Sequence, residues 1–136
     1  MENSKFQFKG YTILRSLIER TEEKASTNLS IGFSPKGIIK EEDAVFELIL
    51  SVKIRDKNEI INIEVDAKAN YEFDKTVKLE ELDNYFYVNA PALLFPYIRA
   101  YISTLTNLSG YAPVTLPTLN ISGIGEDLKN NTTKEE

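Results

Sequence analysis

The clearest pattern in the chain is a period of two. From Ile61 to Phe73 the residues Ile61, Ile63, Val65, Ala67, Ala69, Tyr71 and Phe73 alternate with Asn62, Glu64, Asp66, Lys68, Asn70 and Glu72. Successive side chains of a strand point to opposite faces, so the run predicts a strand with one face in a core and the other in water. The segment before it repeats the pattern: Ala44, Phe46, Leu48, Leu50, Val52 and Ile54 share one side, and Glu47, Ser51, Lys53 and Arg55 the other. Asp56-Lys57-Asn58 between the two runs is turn chemistry, which makes them a hairpin. Leu29, Ile31 and Phe33 alternate up to Pro35-Lys36-Gly37 and predict a short strand entering a turn. Tyr11 to Arg20 reads two ways, because Leu14, Leu17 and Ile18 fit a helical face while Ile13, Arg15, Leu17 and Glu19 alternate. It is assigned as a strand, since Gly10 breaks the front of a helix.

Helical periodicity follows. The acids of Leu79-Glu80-Glu81-Leu82 suit a helix N-terminus, and Asn84 to Val88 complete one short helix. Pro91 then opens a second helix, Pro96 bends it, and Gly110 ends it. On a helical wheel Leu93, Leu94, Phe95, Tyr97, Ile98, Ala100, Tyr101, Ile102, Leu105 and Leu108 sweep more than half the circumference, leaving Arg99, Ser103, Thr106 and Asn107 on the remainder. A helix lying on a sheet needs an apolar stripe only about 100° wide. The surplus predicts a homo-oligomer, with Leu94, Ile98, Tyr101, Ile102 and Leu105 as the expected subunit interface. Beyond Gly110, two prolines forbid a helix while Val114, Leu116, Leu119 and Ile121 keep the segment apolar and extended. Residues 1–122 are thus expected to form a single domain, and 123–136 a polar, disordered tail. The overall class is α+β, an antiparallel sheet with helices gathered on one face.

Composition then removes chemistry. Among 136 residues there is no His, Cys or Trp, which excludes a histidine base, a thiolate nucleophile, a Cys/His zinc site and any disulfide. The acidic clusters Glu41-Glu42-Asp43 and Glu80-Glu81 lie where turns and helix starts place solvated carboxylates, so no enzyme is expected. Tyr85, Tyr87, Tyr97 and Tyr101 could line a small-molecule pocket, although packing accounts for them. Gly123-x-Gly125 has neither the preceding buried strand nor the following helix of a phosphate loop, and no cofactor is expected. The net charge of −5, with no basic cluster, argues against nucleic acid and anionic membrane as partners. The first residues lack a signal-peptide apolar region and no run is long enough to span a bilayer, so a cytoplasmic location is expected.

The segment Asn89-Ala90-Pro91-Ala92-Leu93-Leu94-Phe95-Pro96-Tyr97-Ile98-Arg99 resembles the Pro-x-x-Leu-Phe-Pro-Tyr-x-Arg helix start of the protein-export chaperone SecB family. From about Ala44 to Ile121 the order of elements is also similar to SecB: long hairpin, short helix, this segment, a glycine and a proline-rich crossover. The resemblance implies a four-stranded antiparallel sheet with a long C-terminal helix packed on one face, assembled as a tetramer, a dimer of dimers. It implies an ATP-independent holdase that carries unfolded precursor proteins toward export. Leu29, Ile31, Phe33, Tyr111, Val114, Leu116 and Leu119 would wall the peptide groove, and Glu64 would dock the basic tail of the translocation motor SecA. Two departures stand out. Leu14 and Ile18 occupy positions where the family carries further acids, and the usual C-terminal helix is replaced by a polar tail. Both suit the alternative of a SecB-like chaperone dedicated to one antitoxin of a toxin–antitoxin pair.

Overall fold

The structure is a computed structural model describing residues 6–21, 28–111, 114–116, 121 and 123–135. Its elements are β1 (Phe6–Arg20), β2 (Leu29–Lys40), β3 (Val45–Asp56), β4 (Ile61–Phe73), α1 (Asn84–Leu108), α2 (Ile124–Asn130) and β5 (Thr132–Lys134), with short 3-10 turns at Glu41–Asp43 and Leu79–Glu81. The sheet order is β1-β4-β3-β2-β5. The first four strands pair antiparallel, and β5 adds in parallel to β2. The class is α+β as expected, but among the described residues the sheet has five strands and is mixed.

The β3–β4 hairpin follows the alternation. Phe46, Leu48, Leu50, Val52 and Ile54 of β3 meet Ile63, Val65, Ala67, Ala69 and Tyr71 of β4 on one buried face. Its turn is held by Asp56, whose Oδ1 accepts from the Ile61 N–H at 3.0 Å, and by Glu59 in the left-handed region at φ 57°. β2 is longer than the expected short strand. It runs through Pro35 and Gly37 and turns only at Glu41–Asp43. Pro35 is tolerated because the residues of this parity, such as Gly37, direct their backbone N–H away from β3, so no bond of the β2–β3 ladder is lost.

β1 explains the ambiguity of its sequence. Its register with β4 shifts at Gly10 (φ 106°) and again at Leu14, so the inward parity changes along the strand. Ile13 pairs with inward Ala67, whereas Ser16 and Ile18 pair with inward Val65 and Ile63, leaving Arg15 and Leu17 on the outer face. No single period spans such a strand.

Helix α1 also departs from expectation. Asp83 caps it by accepting from the Phe86 N–H at 3.2 Å, and the helix then continues to Leu108 through Pro91 and Pro96. Pro91 is therefore interior, and Asn84–Val88 is the first turn of the same helix. A proline removes the bond to the carbonyl four residues earlier, which for Pro91 is that of Tyr87. Gly125 of α2 packs its backbone against this Tyr87 carbonyl, and a Cβ there would lie 2.9 Å from the oxygen. Gly110 (φ 89°) ends the segment as expected.

The core centres on Phe86, which sits edge-on to Phe46 at 4.8 Å and to Phe6 at 4.9 Å between ring centroids. Tyr71 is buried beneath the helix and donates its hydroxyl to the Ala90 carbonyl; burial pushes its phenol pKa up. The expected disordered tail is instead α2 followed by β5. Leu128 is fully buried, Ile124 nearly so, and Gly125 fits only because it has no side chain.

Gly125→Ala should destabilise the protein by about 1–3 kcal/mol through overpacking on Tyr87 and Val88. Gly123→Ala, where an added Cβ meets nothing within 4 Å, should change stability by less than about 0.5 kcal/mol. Urea denaturation of the two variants measures the contrast.

Candidate functional site

Leu29, Ile31 and Phe33 project from β2 on the helix-bearing face, each half-buried at the margin of the core. Phe33 meets Phe95 of α1 edge-on at 5.6 Å. The outer edge of β2 beside them pairs with β5 only at Gly37–Ile39, and among the described residues no strand bonds it from Leu29 to Lys36.

The crossover residues lie elsewhere. Tyr111 is 37% exposed and stacks on Arg20, whose guanidinium carbon is 5.3 Å from the ring centroid. Tyr111 and Val114, with Ile18, Ile61 and Ile63, line a recess of about 10 Å³ over the β1–β4 half of the sheet. Ile63 and Ile31 are the β4 and β2 ends of one row that crosses Ile54, two strand spacings or roughly 10 Å apart. The expected groove residues therefore form two separate patches across the sheet. Leu116 is 2% exposed and belongs to the core, so it is not available to a ligand in this fold. Leu119 lies outside the described residues.

Thr106, expected on the polar side of the helix, is buried. Its hydroxyl donates to the Ile102 carbonyl at 2.9 Å and accepts from the Val114 N–H at 2.8 Å, pinning the crossover to α1. Sequence reasoning missed this because a hydroxyl four residues after its acceptor looks like any other solvent-facing threonine.

The expected interface needs the same correction. Leu94, Ile98 and Ile102 are 0% exposed within one chain and pack on the sheet, so no second subunit can reach them. Leu105 is half-buried, as is Tyr101, whose hydroxyl is 2.9 Å from Ser16 Oγ. The helix is covered beyond the β3–β4 face by its own chain: β1 reaches Tyr101 through Ser16, the crossover reaches Thr106 through Val114, and α2 reaches Tyr87 and Val88 through Gly125. The large apolar side chains that stay exposed include Leu93, Tyr97 and Leu108 on α1 and Tyr11 and Leu14 on β1. Tyr97 stacks on Tyr11 at 4.9 Å and on Phe8 at 5.7 Å. β1 is also an edge strand of the sheet.

Glu64 is on the outer face of the sheet, as the alternation predicts, but both its oxygens are engaged. Arg15 Nη1 donates to Oε1 at 2.8 Å and Arg55 Nη2 to Oε2 at 2.7 Å. The hydrogen bonds from Arg15 and then Arg55 hold the carboxyl below the usual carboxylate range, against the opposing effect of burial. Nearby, Glu47 lies between Lys40 at 3.2 Å and Lys68 at 4.0 Å. Glu64 and Glu47 are thus each charge-compensated on the outer face.

A sheet carrying one long helix on its inner face, with half-buried apolar side chains beside an open strand edge, is suited to holding extended chain. Residues 15–130 match the family model of SecB, the preprotein translocase subunit, and the chain belongs to the SecB family of chaperones. It is 29% identical over 132 residues to an uncharacterized protein of Methanocaldococcus jannaschii, covering 91% of this chain and 83% of that one. It is 28% identical to the protein-export protein SecB of Bartonella quintana, covering 95% and 84%. A Mycobacterium tuberculosis SecB-like chaperone, solved in complex with a peptide of the HigA1 antitoxin, shares the fold at a TM-score of 0.70 and 20% identity, covering 85% of this chain and 91% of that one. Among the described residues, no helix is long and apolar enough to cross a membrane.

Because Glu64 has a lower pKa folded than unfolded, its pairing stabilises the protein above the ordinary carboxylate range and is lost as pH falls through the depressed value. Glu64→Gln should therefore be less stable than the parent at pH about 6, with the difference shrinking at pH about 3. Denaturant titrations at the two values check the sign.

Proposed function

We propose that this protein is an ATP-independent holdase that binds unfolded precursor polypeptide as an extended segment and keeps it competent for export. The observation that carries the reading is the open edge of β2 flanked by Leu29, Ile31 and Phe33. A binder of many sequences cannot rely on side-chain-specific hydrogen bonds, so backbone pairing supplies affinity and apolar side chains supply a general preference. The patch of Tyr111 and Val114 about 10 Å away provides a second apolar contact for the same extended chain.

A dedicated antitoxin chaperone is the second reading. Glu64 is already neutralised by Arg15 and Arg55, which leaves little attraction for the basic tail of a translocation motor such as SecA. The solved relative bound to an antitoxin peptide points the same way.

The working form in either reading is a homo-oligomer, a tetramer built as a dimer of dimers. Its contact surface is formed by Tyr11, Leu14, Leu93 and Tyr97 together with the β1 edge, in place of the buried Leu94, Ile98 and Ile102.

Size-exclusion chromatography with light scattering, on the chain alone and mixed with an unfolded presequence-bearing protein, should give a tetramer that carries the client. An oligomer that ignores many clients but retains one small antitoxin would favour the second reading, and a monomer that binds neither would refute both. Tyr111→Asp should weaken client capture roughly tenfold while leaving the oligomer intact, and Tyr97→Asp should shift the oligomer toward smaller species.

A further inference from the structure

The outer edge of β2 is divided. Its backbone groups alternate in direction, and Gly37 N–H donating to the Asn131 carbonyl at 3.2 Å and the Ile39 carbonyl accepting from Glu135 N–H at 2.9 Å show that odd-numbered residues face this edge. Pro35 has no N–H to offer there, and its carbonyl accepts from Asn131 Nδ2 at 3.3 Å. Asn131 to Glu135 therefore covers β2 from Pro35 to Ile39, while Leu29, Ile31 and Phe33 keep edge-facing groups that no strand pairs among the described residues.

The covering segment has a fitted seat and a weak fastening. Gly37 makes room for it, since a Cβ there would fall 2.5 Å from Thr132 Oγ1. Thr132 Oγ1 donates back to the Leu128 carbonyl at 2.6 Å, and Leu128 is fully buried, so the segment hinges on an anchored helix end. At its far end Lys134 bridges Glu41 at 2.7 Å and Glu80. These groups are half exposed, so the pairs are screened by water and salt and hold the three-residue strand only weakly; reversing the charge of Lys134, which sets it against Glu41 and Glu80, would release it.

We propose that Asn131–Glu135 is a releasable strap that occupies half of the β2 edge in place of a client strand and is displaced when an extended, apolar polypeptide pairs along the whole of β2. This rests on the holdase reading of the same edge. The strap lowers the apparent affinity by the fraction of molecules in which it is closed, and so favours long clients able to pair beyond Phe33 over short ones.

The test is the dissociation constant, by fluorescence anisotropy, of labelled α-lactalbumin that has been reduced and carbamidomethylated to keep it unfolded. It is compared for the parent, Lys134→Glu, a chain ending at Asn131, and Lys134→Glu combined with Glu80→Lys. Lys134→Glu and the shortened chain should bind roughly fivefold or more tighter, and the charge swap should return toward the parent value. Binding by the parent with unchanged or weaker binding by both opened variants would overturn the strap and leave the holdase reading standing. Absence of binding by every form would overturn both.

Discussion

The seating of α1 on the β3–β4 face is the interaction on which the rest of the molecule depends. Phe86, Leu94, Ile98 and Ile102 are essentially removed from water there, over Phe46, Leu48, Tyr71 and their neighbours. At about 1.5–3 kcal/mol for each fully buried large apolar side chain, these four contribute a sum comparable to the net stability of a small domain. Everything peripheral is referred to that contact. The crossover hangs from Thr106 on the same helix, α2 leans on the carbonyl that Pro91 leaves without its helical partner, and β1 reaches the helix through Ser16 and its aromatics.

Electrostatics serve a different purpose from burial. On the outer face Glu64 sits between Arg15 and Arg55, and Glu47 between Lys40 and Lys68, each acid flanked by cations from neighbouring strands. Such exposed pairs add little stability individually. Their arrangement favours one register, because a slip of one residue would turn these charges inward and the core residues outward.

Where one face was dry and the other wet, the sequence was legible: the β3–β4 alternation fixed both the hairpin and its inward residues. Legibility failed where local rules met tertiary context. Gly10 and Leu14 shift the register of β1, so no uniform alternation could describe it. Pro35 and Gly37 read as a turn, yet their strand loses no β3 bond to the proline and needs the missing Cβ to receive Thr132. Pro91 and Pro96 read as a start and a bend in a helix that runs through both. The helical wheel measures how much of α1 requires cover but not what supplies it, and so it puts Leu94, Ile98 and Ile102 at a subunit boundary where the chain's own sheet covers them. The residues expected to wall a groove belong to β2 and the crossover, but a linear sequence does not show that two strand spacings separate Ile31 from the Ile63 that Tyr111 and Val114 cover, nor that Leu116 is core. α2 escaped notice because Ile124 and Leu128 are too few to establish a period.

The pairing partners of the sheet are very unequal in chain separation. β3 and β4 meet across one tight turn, whereas β1 must find β4 with Phe6 opposite Phe73, and β5 must find β2 with Thr132 beside Gly37. Loop-closure entropy makes the local hairpin early and the distant pairings late. The protein thus completes its own sheet last where β1 joins β4 and β5 joins β2, and until then the outer edges of β4 and β2 are open to any extended neighbour.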